Sequence, residues 1–482
     1  MIGSVRKIAT VGIGAATVQV VTVALTPIIT RLYTPDAFGG YALYWSVAAF
    51  FISVSALRYE TAIVLARSDR EAVNAVGACL LASVFNATLC LTLAPLIAQK
   101  FLPSNMLEET RRLIFFLPIL VLITALNQII VSWLTRKEEF RKFAISDVLT
   151  RLIVYVSQIM LALGGINSAS GLIGGIVIGY SMAGIILTVC IFQNQDVSVF
   201  KNVHTREILQ CLVKYKNLSL YLTPYTIVQT LRERAAYFMI GGYGRSSEVG
   251  YYSLSSRALA LPVSLVAGAI RPIFFQKAAG SNLKDLEDRV NLAIRFMGLC
   301  VVPCWVVLLL HHTTLFGLVF GKSWESAGVY AAILSVPAIP FLLGSWLDRS
   351  FDILSRQRLH FVIESIFTLV ALTGLTIGIF IFKSVLIAVI IQSGVATVYY
   401  ACYLLVIYRI AGFGVVSLGI STAYWLVAFV AAVVFGSVIS VFITGMSGAL
   451  VFGALVLLSV GAYALLTISK LKNEPAVSSQ HD

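Results

Sequence analysis

Apolar runs of about 20 residues recur from one end of the chain to the other, parted by short polar connections. A helical run of that length crosses a hydrocarbon core of about 30 Å. The runs are continuous and do not alternate with a period of two, which selects helices over a transmembrane barrel. Taken in order they predict about fourteen spans, over 8–30, 39–65, 73–98, 113–134, 147–164, 171–192, 217–242, 249–277, 291–311, 327–347, 360–382, 384–408, 417–442 and 446–468. The run from Ile8 to Thr30 is longer than the apolar centre of a signal peptide and reads as a first retained helix.

One run breaks the pattern. Leu218 to Gly242 carries Arg232, Glu233 and Arg234 near its middle. A charge at mid-bilayer costs about 2.5–3.5 kcal/mol even on lenient insertion scales, so it must face protein or water. Successive residues turn by about 100° around a helix axis. That phase sets Arg232 on a stripe with Tyr221, Tyr225, Gln229 and Ala236. Glu233 falls on the adjoining stripe with Thr226, Gln229, Thr230 and Tyr237, and Arg234 lies nearly opposite Arg232 among Ile227, Leu231 and Phe238. The first two line a polar face, either as part of a binding site or as an ion pair pinning neighbouring helices.

Composition agrees with the pattern. Hydrophobic residues make up 59% of the chain and charged residues 12%, against about 25% charged in globular proteins. Mean hydropathy is +0.92, and the expectation is an all-α polytopic membrane protein. The formal net charge of +13 resides mostly in alternate connections, such as Arg136, Lys137, Arg141 and Lys142, whereas the intervening ones are poor in Lys and Arg. The positive-inside rule then makes both termini cytoplasmic. Attraction to anionic lipid accounts for the basic balance and calls for no nucleic acid.

The seven cysteines fall mostly inside predicted spans, so no disulfide framework is expected. Cys300 and Cys304 lie one turn apart with His311 and His312 further on, but packed membrane cysteines explain them better than a metal. No metal or other cofactor is expected. Gly317 to Ser323, GLVFGKS, has three residues between its glycines where a phosphate-binding loop needs four. With short connections throughout and no nucleophile elbow, the chain reads as a transporter and not an enzyme.

The connection from Gln193 to Lys216 divides the first six spans from the rest, and the sequence after it echoes the start. Leu32 to Tyr44 lies on Gly242 to Ser255 with Gly39 over Gly250 and Leu43 over Leu254. Parallel repeats of this kind are built into transporters, with substrate sites where the halves meet. Arginines then point to the substrate. Asp147 and Arg151 are four apart and pair with each other as a structural element. Arg58, Arg232, Arg257 and Arg271 are the least explained by local partners, and guanidinium forks suit phosphate oxygens. They form the candidate anion-binding set, with Tyr225 and Gln229 on the Arg232 face. Tyr41, Tyr44, Trp45, Asn127, Gln128, Tyr251 and Tyr252 suit sugar faces and hydroxyls, or serve as interfacial packing. Glu60, two residues after Arg58, either changes protonation during transport or holds a fixed salt bridge; Glu233 balances the arginines of its own helix.

The strings RLYTPDAFGGYALYWSV, LRYETAIVLARSDREA and VFGKSWESAG resemble the polysaccharide-transporter branch of the multidrug/oligosaccharidyl-lipid/polysaccharide exporter superfamily, the Wzx-type flippases. The residues that carry the resemblance are Tyr33 to Pro35, Phe38 to Tyr41, Leu57 to Glu60, and Phe320, Gly321, Trp324 and Ala327. It implies two six-helix lobes around a central cationic cavity, over 1–192 and 217–409, joined by a cytoplasmic linker over 193–216. Two further helices over 410–470 and a cytoplasmic tail over 471–482 would follow. The implied substrate is an oligosaccharide on undecaprenyl pyrophosphate, carried across the bacterial inner membrane to the periplasmic leaflet by alternating access. Proton or sodium coupling, and glycan polymerase or chain-length partners, stay open. Rival expectations are a lipid II flippase, an organic-cation exporter on the same fold, and a membrane enzyme acting on the same lipid-linked sugar.

Overall fold

The computed structural model describes residues 2–101, 112–194, 205–243, 245–278, 283–347, 350–354 and 356–442. The predicted span 446–468 and the tail lie outside them. Every α or 3-10 element among the described residues is helical: α1 (Ile2–Leu32), α2 (Pro35–Ser53), α3 (Glu60–Leu65), α4 (Asp69–Phe101), α5 (Leu117–Arg136), α6 (Phe140–Leu163), α7 (Ala169–Asn194) and α8 (Thr205–Lys214). Then come α9 (Lys216–Tyr243), α10 (Ser246–Ala278), α11 (Leu283–Phe320), α12 (Glu325–Gly344), α13 (Ser350–Ile353), α14 (Gln357–Phe380), α15 (Val385–Ala411) and α16 (Val415–Phe442). Nine described segments are long and apolar enough to cross a membrane on length and composition, which makes this a multi-pass membrane protein. The charges of α9 keep it outside that set, although its 28 residues would reach about 40 Å.

The chain forms two compact units. The first comprises 1–257, 319–324 and 372–391, and the second 258–318, 325–371 and 392–482. In the first unit α6 packs against α1 and α7, α4 against α5, and α9 against α2. Small residues permit the close approaches, as membrane helices require where hydrophobic segregation cannot drive association. A Cβ on Gly179 would stand 2.3 Å from Val154 Cγ2, and one on Gly175 would stand 2.4 Å from Gln158 Cγ. Gln158 in turn donates to Leu172 O at 2.9 Å, and its own carbonyl accepts from Tyr33 at 2.8 Å.

The single helix expected over 39–65 is divided. Residues 54–59 form consecutive turns between α2 and α3, with Leu57 and Arg58 at φ of 49° and 65°. Left-handed backbone in a non-glycine residue costs about 1 kcal/mol or more and persists only when surroundings hold it. Four helices do so. Asn86 of α4 donates to Phe51 O at 2.9 Å and Val54 O at 3.3 Å, and Ser55 donates to Gln128 of α5 at 3.0 Å. Thr223 of α9 donates to Leu57 O at 3.2 Å, and Tyr59 donates to Leu212 O of α8 at 3.2 Å. Sequence periodicity could not reveal the break, because the partners that hold it are remote in sequence.

Helix α8 is clasped to the start of α4. Arg70 and Glu207 form an ion pair, as do Lys214 and Glu71, while Asn74 reaches Glu207 at 2.8 Å and Tyr215 reaches Glu71 at 3.0 Å. The bond to Glu71 raises the Lys214 ammonium above its ordinary value. A raised lysine pKa means the contact is complete below the unfolded value and is lost as pH climbs through the folded one. In the second unit a polar ladder joins α11 to α16: Asn291 donates to Ser417 at 3.2 Å and accepts from Tyr408 and Ser421, each at 3.0 Å. Arg295 extends it, donating to Ser421 at 3.1 Å with its guanidinium 4.9 Å from the Tyr424 ring.

Replacing Asn86 with Leu should strip carbonyl partners from the break and lower stability by about 1–3 kcal/mol, read as a lower Tm of the purified protein. An unchanged Tm would mean the break is held without it.

Candidate functional site

The first unit gathers charged and aromatic residues in two places. The first is the break itself. Arg58 Nη1 lies 3.4 Å from Glu60 Oε1, and Gln128 Nε2 reaches the same oxygen at 3.4 Å. Both contacts are long. Glu60 is 6% exposed and its Oε2 has no hydrogen-bond partner, as is also true of Arg58 Nε. An incompletely satisfied carboxylate beside unwound backbone is well suited to accept a proton or a small cation.

The second place lies between α2, α6, α7, α9 and α10. Arg257 of α10 sits with its guanidinium carbon 5.0 Å from the centre of the Tyr41 ring of α2, within cation–π range. Tyr237 of α9 and Tyr155 of α6 stand beside it. Arg151 of α6 shares Tyr41 and Tyr155 with Arg257 and has Tyr180 of α7 and Asp147 around it. Tyr237 meets Tyr252 edge-on at 5.3 Å and lies 5.7 Å from the Arg234 guanidinium carbon. Arg151 and Arg257 keep surface that no other protein atom covers although aromatic side chains lie beside them, which leaves a tyrosine-lined recess around the two guanidiniums. Among the neighbours named, Asp147 alone carries a negative charge. Neutral phenols stabilise a guanidinium by ring quadrupole and hydroxyl without cancelling its charge.

The sequence-predicted residues are distributed unevenly between these places. Arg257 lies in the tyrosine-lined recess, while Arg58 and Glu60 lie in the break. Arg232 is half-buried on α9; Tyr225, Gln229 and Glu233 are exposed there, and Gln229 donates to Glu233 at 3.4 Å. The backbone of Arg271 falls within α10, but its side chain lies outside the described ones. Asp147 and Arg151 both lie on α6, and Tyr41, Tyr155 and Tyr180 as well as Asp147 act on the Arg151 guanidinium. Of the sugar-facing candidates, Tyr41 lies in the recess and Tyr252 touches its edge through Tyr237, whereas Gln128 belongs to the break and Asn127 bonds Tyr180 O at 3.0 Å.

Two residues escaped sequence reasoning as members of this site. Arg151 was explained by its neighbour Asp147, although Asp147, Arg151 and Tyr155 recur at steps of four along one stripe. Arg234 was set opposite Arg232, and Tyr237, whose ring its guanidinium faces from three residues away on the same helix, was assigned to the Glu233 stripe.

Residues 28–329 match the family described as polysaccharide biosynthesis protein. The chain belongs to that family. The motifs at Tyr33 to Tyr41, Leu57 to Glu60 and Phe320 to Ala327, which carry the resemblance to the polysaccharide-transporter branch, all lie inside the matched region of this polysaccharide biosynthesis protein. Among solved structures, its fold is similar to that of lipid II flippase MurJ in an inward closed conformation, with TM-score 0.70, 14% identity, and coverage of 95% of this chain and 99% of that one. It also resembles an inward-facing multidrug resistance MATE family transporter of the MOP superfamily, with TM-score 0.61, 15% identity, and coverage of 81% and 95%. A MOP superfamily transporter from Pyrococcus furiosus gives TM-score 0.53 at 16% identity, with coverage of 84% and 95%. A search of curated proteins returned no match.

Removing Arg58 should leave the Glu60 carboxylate unpaired. Arg58→Ala is expected to lower stability by about 2 kcal/mol, short of the ~3–5 of a fully buried pair because the guanidinium is partly solvated. Arg58→Ala with Glu60→Gln should recover most of that loss in thermal unfolding. Equal losses in the single and double variants would show that the two groups are not coupled.

Proposed function

We propose that this polysaccharide biosynthesis protein is a flippase that moves an undecaprenyl-pyrophosphate-linked oligosaccharide from the cytoplasmic to the periplasmic leaflet of the bacterial inner membrane. The observation that carries this reading is the gathering of Arg151 and Arg257 among tyrosines, with Asp147 the one acid among the neighbours named. Its charge is largely uncancelled, which favours an anion and disfavours the organic cations an exporter of cationic drugs would bind. Guanidinium forks replace the hydration of a diphosphate, and the phenol rings and hydroxyls accept sugar faces and hydroxyls. The polyprenyl tail stays in lipid throughout. Family membership supports a carbohydrate cargo, and the shared fold supports transport over catalysis.

Arg232, Arg271, Tyr225 and Gln229 complete the proposed path, with Glu233 occupying arginine when cargo is absent. Movement requires that binding be released, so an acid that competes with phosphate is useful. At the break, Glu60 is the proposed point of proton or sodium coupling, since protonation or a cation would satisfy Oε2 and free Arg58. Basic connections put both termini in the cytoplasm.

Deleting the gene in its host and measuring lipid-linked glycans on each face of the inner membrane tests the reading. The undecaprenyl-linked unit should accumulate on the cytoplasmic face and be cleared by wild type. Arg232→Ala, Arg257→Ala and Arg151→Ala should each slow clearance about tenfold or more at equal protein abundance, as expected for losing hydrogen bonds to a charged partner. If the unit reaches the periplasmic face and stays unpolymerised, a downstream enzyme takes the flippase's place. Rescue of cells lacking their lipid II flippase would instead favour lipid II as cargo, the activity named for the MurJ chain of similar fold.

A further inference from the structure

The two echoing loops, the first of them within a signature string, meet each other in space, a fact the proposed transport function does not absorb. Helices α2 and α10 begin in backbone contact. A Cβ on Gly39 would stand 1.8 Å from Ser246 O, and one on Gly250 would stand 2.1 Å from Pro35 O. Each glycine thus exists to admit the other helix's main chain, and Gly39 and Gly250 are the two residues that coincide when the halves of the sequence are superposed. Ser246 Oγ donates to Asp36 O across the crossing at 3.2 Å.

A third signature string wedges the crossing. The turn Lys322–Trp324, entered through Gly321 at φ 107°, delivers Trp324 to a fully buried position. Its indole N–H donates to Thr30 O at 2.7 Å. Its ring meets Phe38 of α2 edge-on at 4.9 Å and Tyr251 of α10 edge-on at 6.2 Å. One side chain therefore ties α1, α2 and α10 together beside the glycine pair.

The recess begins directly beyond. Tyr41 is two residues past Gly39, and Arg257 lies two helical turns past Gly250 on the same face of α10. We propose that the Gly39–Gly250 crossing and its Trp324 wedge are positioning residues for the anion site, setting the helix separation at which Arg257 rests on Tyr41. This rests on the reading of Arg257 as a phosphate-binding residue. A methyl group at Gly39 must retreat from 1.8 Å to ordinary contact at 3.4 Å, a displacement of 1.6 Å. The guanidinium now stands 5.0 Å from the ring, and the same displacement carries it beyond the limit of about 6 Å for cation–π attraction.

The test is a double-mutant cycle on the purified full-length protein in lipid nanodiscs, with undecaprenyl pyrophosphate as the probe and native mass spectrometry as the readout. Arg257→Ala and Gly39→Ala should each weaken binding about tenfold, and the double variant should bind no more weakly than Arg257→Ala alone. Trp324→Phe, which keeps the ring and loses the indole donor, should cost about threefold, an effect that vanishes on the Arg257→Ala background. This arm decides the matter if Gly39→Ala does not fold. Multiplying losses, or full affinity in both Gly39→Ala and Trp324→Phe, would overturn the positioning role while leaving Arg257 in the site. Full affinity in Arg257→Ala would overturn the anion-site reading and the positioning role with it.

Discussion

Hydrocarbon offers no partner to a polar group, and every feature of this chain that matters follows from that constraint. A helix satisfies its own backbone, so the described residues are helical apart from short turns; a charge or an unwound carbonyl must be satisfied by another part of the protein or by admitted water. Where several such groups occur together, helices that would otherwise slide past one another are held in one register. The break at 54–59 is held this way by side chains from three helices and a backbone carbonyl of α8, and the ladder from Asn291 to Ser421 does the same in the second compact unit. Polar residues here specify arrangement, and apolar contact with small residues supplies the proximity that lets them do it.

The two charged places of the first unit solve the constraint differently. Arg58 has a carboxylate beside it, and the pair is close to neutral. Arg151 and Arg257 have mainly phenols, which lower the cost of holding the charge without removing it. A neutral pair suits a switch, because protonation of the acid or arrival of a cation changes its balance. An uncancelled pair suits a cargo that brings its own negative charge. The chemistry of the two places is therefore complementary, and Thr223 of α9 and Tyr41 of α2 lie on helices that reach both.

Much of the fold was legible in the pattern of apolar runs, because span length is set by bilayer thickness and needs no knowledge of neighbours. The family strings were legible too, and all lie within the region that the family match covers. The interruption after Ser53 was not legible, because it depends on Asn86, Gln128 and Thr223, which are remote in sequence. Among site residues, Arg257 stood out because little nearby in sequence explains it and Glu60 because it stands two residues from Arg58, and local reasoning serves well for such cases. It failed for Arg151, whose local partner Asp147 hid the three tyrosines around it. It failed equally for Arg234, since helical phase describes a face and says nothing of what that face meets.

The same difference explains why the two signature strings nearest the crossing, RLYTPDAFGGYALYWSV and VFGKSWESAG, are rich in glycine and aromatic residues. A binding residue can be recognised by its chemistry, whereas a residue that sets distance is recognised only by what would collide with it. Gly39 and Gly250 carry no functional group, yet backbone contact at 1.8 and 2.1 Å from their missing Cβ atoms leaves no substitute for either. Trp324 supplies the attraction that glycines cannot, through one hydrogen bond and two edge-on rings worth about 0.5–1.5 kcal/mol each. What these residues fix is geometry: a guanidinium held 5.0 Å from a ring needs the helices beneath it fixed far more finely than apolar packing alone would hold them.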